Sequence, residues 1–240
     1  MNAAALAAVG FEAAVAPLGR HTLAWIKPGQ LRHVHATIAD RASHAALQRW
    51  CAAGWPLVVC RPHPGAHADS VALGLPLPPS EGKRRIAFEA NRSAIGRWSP
   101  PLALAEAARR LPARWAQPLR ALAGQAQRCA VSLRVYGSVA WQALTDLDYL
   151  HADSDVDLLW QPRGADQLAR VLSMIERWEL RHGLRADGEF VLPGGGALSW
   201  REWRASRADD RMLVKHIGGV ALIPRESVAA AIEASGGRNR

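Results

Sequence analysis

The sequence predicts a protein of the α/β type in the broad α+β sense, with a mixed sheet flanked by helices in its C-terminal half and a smaller α/β part before it. Three observations carry this. In residues 1–100, short apolar runs bounded by Pro and Gly outnumber helical patterns. Residues 101–128 have a helical composition punctuated by Pro112 and Pro118. From 129 to 240, strand-like runs alternate with stretches of helical period. The expected organisation is an N-terminal substrate- or partner-binding domain (1–100), a helical connector (101–128) and a C-terminal domain carrying the chemistry (129–240).

In chain order, residues 1–20 read as a mobile Ala-rich lead, and His21-Thr-Leu-Ala-Trp-Ile26 as a first strand ending at Lys27-Pro-Gly29. Ser43 is placed to cap a helix with apolar positions Ala46, Leu47, Trp50 and Cys51, stopped by Gly54. Pro56–Cys60 and Ser70–Leu77 follow as strands. The loop Pro78-Pro-Ser-Glu-Gly-Lys-Arg-Arg85 holds the densest positive charge. Lys83, Arg84 and Arg85 are either a solvated hairpin tip or a phosphate contact, because three adjacent cations are costly to crowd without an anion. Ile86–Glu89 is a further strand.

Ser99-Pro100 is expected to open the helical connector, with proline in the first turn and breaks near Pro112 and Pro118. Gly164–His182 carries Leu168, Val171, Leu172 and Ile175 on one helical face and stops at Gly183, which marks a core-packing helix. Gly194-Gly-Gly196 reads as a hairpin turn, since it lacks the strand-to-helix context of a phosphate loop. Val214-Lys215 and Val220–Ile223 flank Gly218-Gly219 as a last hairpin. Lys215 is either an exposed strand lysine or one that reaches a phosphate oxygen. Ser227 is expected to cap a short Ala-rich helix, and residues 236–240 to fray.

At 240 residues with 49% hydrophobic side chains, the chain can bury a proper core. Its net charge of +9 implies an anionic partner, and nucleic acid, a polyphosphate nucleotide and an acidic carrier protein all qualify. Cys51, Cys60 and Cys129 lack Cys-x-x-Cys spacing and read as reduced thiols of a cytoplasmic protein. The N-terminal region, interrupted by Gly10, Glu12, Pro17 and Arg20, resembles neither a signal peptide nor a membrane span. His33, His35, His63 and His67 have no cysteine partners and no His-Glu-x-x-His spacing, so they read as scattered surface imidazoles rather than zinc ligands.

The chemistry concentrates in Leu133-Arg-Val-Tyr-Gly-Ser138 and Asp153-Ser-Asp-Val-Asp-Leu-Leu-Trp160. Val131, Leu133 and Val135 alternate as a strand, Gly137 permits a tight turn, and Ser138 is placed to cap the helix that follows. Free N–H groups at such a turn bind anions. Asp155 and Asp157, two apart, leave one face of the next strand with Cα atoms roughly 6.6 Å apart. Paired acids on an apolar strand call for a cation, and Mg²⁺, which takes hard oxygen ligands and substrate phosphates, fits best. Glu189, in Asp187-Gly-Glu-Phe-Val-Leu192, is the expected third acid. Gly-Ser by itself is an ordinary turn and Asp-x-Asp an ordinary loop edge. Their strand-turn-helix-loop-strand order favours a site for a metal-bound triphosphate.

This order of motifs resembles the polymerase-beta-like nucleotidyltransferase superfamily. Tyr136-Gly-Ser-Val-Ala-Trp-Gln-Ala-Leu-Thr145, Asp153–Leu159, Asp187-Gly-Glu189 and Ser199-Trp-Arg-Glu202 are similar, more closely, to the phosphoribosyl-dephospho-CoA transferases of the malonate decarboxylase system, the holo-acyl-carrier-protein synthases. A looser resemblance runs from Arg20-His-x-Leu-x-Trp25 to Val214-Lys215. It implies transfer of a phosphoribosyl-dephospho-CoA group from 2′-(5″-triphosphoribosyl)-3′-dephospho-CoA to a serine of the apo acyl carrier protein subunit of malonate decarboxylase, with release of pyrophosphate. Asp155 and Asp157 would hold Mg²⁺, Glu189 would complete the metal site or act as base, and Gly137-Ser138 would cradle the outer phosphates. Neither nucleic acid nor membrane is then a partner. Two alternatives remain: a nucleotidyltransferase moving a nucleoside monophosphate from an ordinary NTP, and a silent nucleotide-binding regulatory module, against which the intact acid pair argues.

Overall fold

A computed structural model describes residues 19–36 and 40–236 of the chain. Of the expected mobile lead 1–20, residues 1–18 lie outside the described residues while Arg20 is held on Glu189, and of the expected fraying tail 236–240, residues 237–240 lie outside them while Gly236 ends a helix. The protein is α+β and is built around two sheets.

The first sheet has six strands, all antiparallel, in the order β2-β5-β4-β3-β1-β6. These are β1 (Leu23–Ile26), β2 (Val34–Ala36), β3 (Leu57–Val59), β4 (Ser70–Pro76), β5 (Arg85–Asn91) and β6 (Ile95–Ser99). Strict alternation along β4, with Val71, Leu73 and Leu75 buried, lays one face on helix α1 (Arg41–Ala52). That helix is capped by Asp40, not Ser43. The Asp40 carboxylate accepts from the Ser43 N–H at 2.7 Å and from the Ser43 hydroxyl at 2.6 Å, so Ser43 is buried inside the first turn.

The second sheet has seven strands in the order β13-β12-β11-β10-β9-β8-β7, and only β9 and β10 are parallel. In chain order, β7 (Leu102–Ala103) leads into α2 (Leu104–Arg110) and α3 (Ala113–Arg128), then β8 (Arg134–Val135), α4 (Gly137–Thr145), β9 (Val156–Trp160), α5 (Ala165–His182), β10 (Ala186–Val191), β11 (Ala197–Ser199), α6 (Trp200–Ala205), β12 (Arg211–Lys215), β13 (Val220–Pro224) and α7 (Arg225–Gly236).

The segment expected to connect two domains differs from its sequence reading. Ser99-Pro100 opens no helix, because Ser99 ends β6 and helical structure begins at Leu104. Pro112 does separate two helices, whereas Pro118 sits inside α3, and its carbonyl accepts from the Trp178 indole at 2.8 Å. Leu104, Ala107, Trp115, Leu119 and Leu122 pack into the second core beside Val135, Val156 and Ile175, so these helices are integral to that core. At the other end, α7 begins at Arg225, which leaves Ser227 within its first turn.

The helices cover one face of the second sheet. Val135, Val156, Leu158, Trp160, Phe190, Met212 and Val214 point into the core they form. Strand alternation sends Arg134, Asp157, Leu159, Asp187, Glu189 and Lys215 to the opposite face. The first part of the chain meets that face and its surroundings: Trp141 and Tyr149 belong to the first core, and the Tyr149 hydroxyl donates to the Pro76 carbonyl at 2.6 Å. Among the described residues no helix is long and apolar enough to cross a membrane.

Candidate active site

Strand β8 delivers the chain to Tyr136, whose N–H donates to the Asp157 carbonyl at 3.1 Å and ties the turn to β9. Gly137 then takes a left-handed φ of +62° and opens α4. Tyr136, not Ser138, occupies the N-cap position, and among the described residues no side chain caps the helix, which leaves its first N–H groups to meet an anion. The glycine is required twice over. Besides the positive φ, a Cβ at position 137 would lie 1.9 Å from Asp157 Oδ2 and 2.9 Å from its Cγ, so the carboxylate is seated directly on the bare Cα.

Parallel pairing of β9 and β10 sets the partner of that carboxylate. Asp157 is in register with Asp187, and Glu189 with Leu159, one pleat further along. Asp155 stands one residue before β9. The exposed Arg185 guanidinium lies 3.7 Å from both Asp155 and Asp187. Asp155, Asp157 and Asp187 therefore form the acidic group, and Asp187 is the residue that sequence reasoning passed over. Alternation puts Asp187 and Glu189 on one face, and only inter-strand register tells them apart. Gly188 between them holds φ +126° where a Cβ would lie 2.0 Å from the Leu158 carbonyl oxygen, which lets β10 press against β9 at this row.

Burial raises the Asp157 carboxyl to about 7, helped by the charges of Asp187 and Asp155 and opposed by Arg85. Arg85 stands at the start of β5, so the first sheet contributes a cation to the site. The three adjacent cations of that loop part company: Arg84 lies near Asp40 at the cap of α1, whose carboxyl is lowered chiefly by its hydrogen bonds from Ser43 and further by the Arg84 charge, and Lys83 is exposed with φ +53°.

Glu189 is 4% exposed and sits at the centre of a separate network. Arg20 Nη1 donates to it at 3.0 Å, Lys215 Nζ donates at 2.8 Å, and His21 Nε2 lies 3.5 Å away. Burial opposes its ionisation, but His21, Lys215 and Arg20 outweigh that and hold the carboxyl down at about 2. Lys215, read from sequence as exposed or phosphate-bound, is thus ion-paired. His21, itself at φ +67°, stacks on Tyr136 with ring centroids 4.0 Å apart. Burial and the charges of Glu189, Asp157 and Asp187 push the Tyr136 hydroxyl upward, against Arg20. Arg20, His21 and Tyr136 fall in motifs quoted from the sequence, but neither they nor Arg185 was assigned to the site, because the convergence of Arg20 and His21 on it depends on how the first part of the chain docks on the second sheet. Glu189→Gln would leave Arg20 and Lys215 without their counter-charge, and is expected to cost about 2 kcal/mol in denaturant titration. An unchanged midpoint would mean that the network contributes nothing to stability.

Clustered carboxylates against a glycine turn with free helix N–H groups, faced by arginines from both parts of the chain, can hold a divalent cation and a phosphate ester together. Among the described residues no three His, Cys, Asp or Glu side chains close on one point as a preformed metal cage. Mg²⁺ does not need one, since it commonly takes one or two carboxylates and completes its shell with water and substrate phosphate. This is the equipment of a transferase acting on a phosphorylated group.

Comparison with known proteins gives the particular family. A model of the phosphoribosyl-dephospho-CoA transferase MdcG C-terminal domain matches residues 103–226, and one of the MdcG N-terminal domain matches residues 19–101. A phosphoribosyl-dephospho-CoA transferase of Xanthomonas axonopodis pv. citri is 41% identical over 218 residues, covering 90% of this chain and 99% of that protein. Another from Bradyrhizobium diazoefficiens is 37% identical over 209 residues, covering 87% and 91%. No solved structure matches significantly. The chain belongs to the phosphoribosyl-dephospho-CoA transferase family.

Proposed function

We propose that the protein transfers the phosphoribosyl-dephospho-CoA group of 2′-(5″-triphosphoribosyl)-3′-dephospho-CoA to a serine of the apo acyl carrier protein subunit of malonate decarboxylase. The observation that carries this reading is the Asp157 carboxylate seated on Gly137 and in register with Asp187, within a chain of this family. The strand, glycine turn, helix and Asp-x-Asp order supports a nucleotidyltransferase-type reaction. The serine oxygen forms a bond to the α-phosphorus of the donor, the bond from that phosphorus to the bridging oxygen of the β-phosphate breaks, and pyrophosphate leaves. The hydroxyl proton passes to Asp187, which takes the place expected for Glu189.

Asp155 and Asp157 fit Mg²⁺, because burial, together with the charges of Asp187 and Asp155, pushes the Asp157 carboxyl up and a bound cation would relieve it. Bound there, Mg²⁺ would supply charge neutralisation at the transferring phosphoryl group. The chain's own residues do the rest. Gly137 and Ser138 present backbone N–H groups to the outer phosphates, and Arg85 and Arg185 face the same acidic site from two directions. The reducing cytoplasm is the place of work we assign, on the spacing of Cys51, Cys60 and Cys129, none of which stands in a Cys-x-x-Cys pair.

Incubated with apo carrier and donor, the protein should raise the carrier mass by the donor minus pyrophosphate, and a serine-to-alanine change in the carrier should abolish the gain. Pyrophosphate released from ATP alone, with no mass gain on any carrier, would transfer the assignment to an ordinary nucleotidyltransferase. In the same assay Asp187→Asn should lower kcat far more than Glu189→Gln. The reverse order would restore Glu189 as the third acid.

A further inference from the structure

The helix-free face of the second sheet continues past the acids. Strand register arranges it in rows about 6.6 Å apart. Asp157 and Asp187 form the first row, Arg134, Leu159 and Glu189 the second, and Val191, Ala197 and Lys215 the third, with Gln161 following Leu159 by two along the β9 direction. Beyond the second row, at the end of the sheet where α7 comes up, lies a groove of about 680 Å³, lined by Arg134, Leu159, Gln161, Arg163, Val191 and Ser235. A volume of this size suits a small organic ligand.

The lining has a definite chemistry. Leu159 and Val191 give an apolar floor. Arg134 spends one N–H on the Pro101 carbonyl at 2.7 Å, and Arg163 is exposed. Among the described residues neither guanidinium is paired with a carboxylate. An apolar floor and two guanidinium groups without carboxylate partners fit a nucleoside diphosphate, with the base on the apolar side chains and the phosphates on the arginines.

We infer that this groove binds the adenosine 5′-diphosphate portion of dephospho-CoA, with the reacting phosphate of the donor at the Asp157 row and its nucleotide one to two rows away. This deepens the donor assignment above and rests on it. The covalent order of the donor matches the order of the rows. Its 5″-triphosphate is separated from the adenosine by a single ribose on the 2′-oxygen, and the 5′-diphosphate leads outward to the pantetheine arm.

Binding of dephospho-CoA and of inorganic pyrophosphate, measured separately by calorimetry on the full chain, tests this without any transfer step. Two variants probe the groove. Arg163→Ala removes an exposed side chain remote from the acids, and Val191→Trp fills the floor. Each should raise the Kd for dephospho-CoA about tenfold or more, as loss of one charge-assisted contact would, while leaving pyrophosphate binding at the parental value. Parental dephospho-CoA affinity in Arg163→Ala overturns the proposal even if Val191→Trp fails to fold. So does the absence of dephospho-CoA binding by the parent protein. Failure of the carrier assay alone, with dephospho-CoA bound and sensitive to both variants, would overturn the acceptor assignment and leave this groove standing.

Discussion

The substitution Gly137→Val is expected to remove most activity from a protein that still folds. Any β-carbon at this position displaces Asp157 Oδ2, which stands 1.9 Å from where that carbon would be. The aspartate can rotate away, so the helix and strand survive. The left-handed backbone adds about 1–2 kcal/mol of strain. What cannot survive is the carboxylate position, and a displacement on the order of 1 Å at a reacting centre costs on the order of a hundredfold. Gly137→Ala should behave alike, since the conflict arises at Cβ itself. Transfer kinetics beside thermal melting would separate the two effects. Parental turnover in either variant would mean that the turn serves structure only.

Asp157→Asn should cost still more turnover, on the order of a thousandfold, because the amide carries no charge to hold a divalent ion worth several kcal/mol to the transition state. Its effect on stability runs the other way. In metal-free protein the Asp157 carboxyl is raised from 3.8 to about 7. A raised folded-state value means that folding favours the protonated form. That contribution is complete below pH 3.8 and is lost as pH climbs through about 7. Glu189 has the opposite sign: lowered from 4.5 to about 2, it stabilises above 4.5 and loses that contribution as pH falls toward 2. Between the two windows the metal-free parent should melt at a higher temperature near pH 5 than near pH 8, and Asp157→Asn should flatten that slope. A parent protein with no slope in that interval would contradict the burial of an uncompensated carboxylate.

The parts legible in the sequence were those fixed by local pattern. Alternation in Ser70–Pro76 and helical period in Ala165–His182 specify their elements without help from the rest of the chain. Gly137 opens α4, and Asp155 and Asp157 follow that helix after a single loop, so the strand-turn-helix-loop-strand order that brings Gly137 to Asp157 was readable. What sequence missed was set by neighbours far along the chain. Asp187 and Glu189 share a face, and parallel pairing with β9 decides which one meets Asp157. Arg20 lies 169 residues from the Glu189 it holds, a separation no periodicity reports. Ser99-Pro100 carries helix-start chemistry, yet pairing of Ser99 with Leu23 makes it the end of a strand. Local propensity yielded there to sheet formation.

The clasp of Arg20 on Glu189 also bears on the order in which this chain can mature. Synthesis is vectorial, and N-terminal units generally fold first. When β10 emerges from the ribosome, the turn before β1 that carries Arg20 and His21 has long been made, and the sheet partners of β1 through Ser99 are already present. A carboxylate destined for burial therefore meets its cation on arrival, and Lys215 closes the arrangement a few seconds of translation later. The first sheet thus acts as an internal template for docking of the second. A version of the protein made with the two sheet-forming segments in reversed order would have to bury Glu189 before Arg20 exists, and should accumulate an aggregation-prone intermediate at that stage.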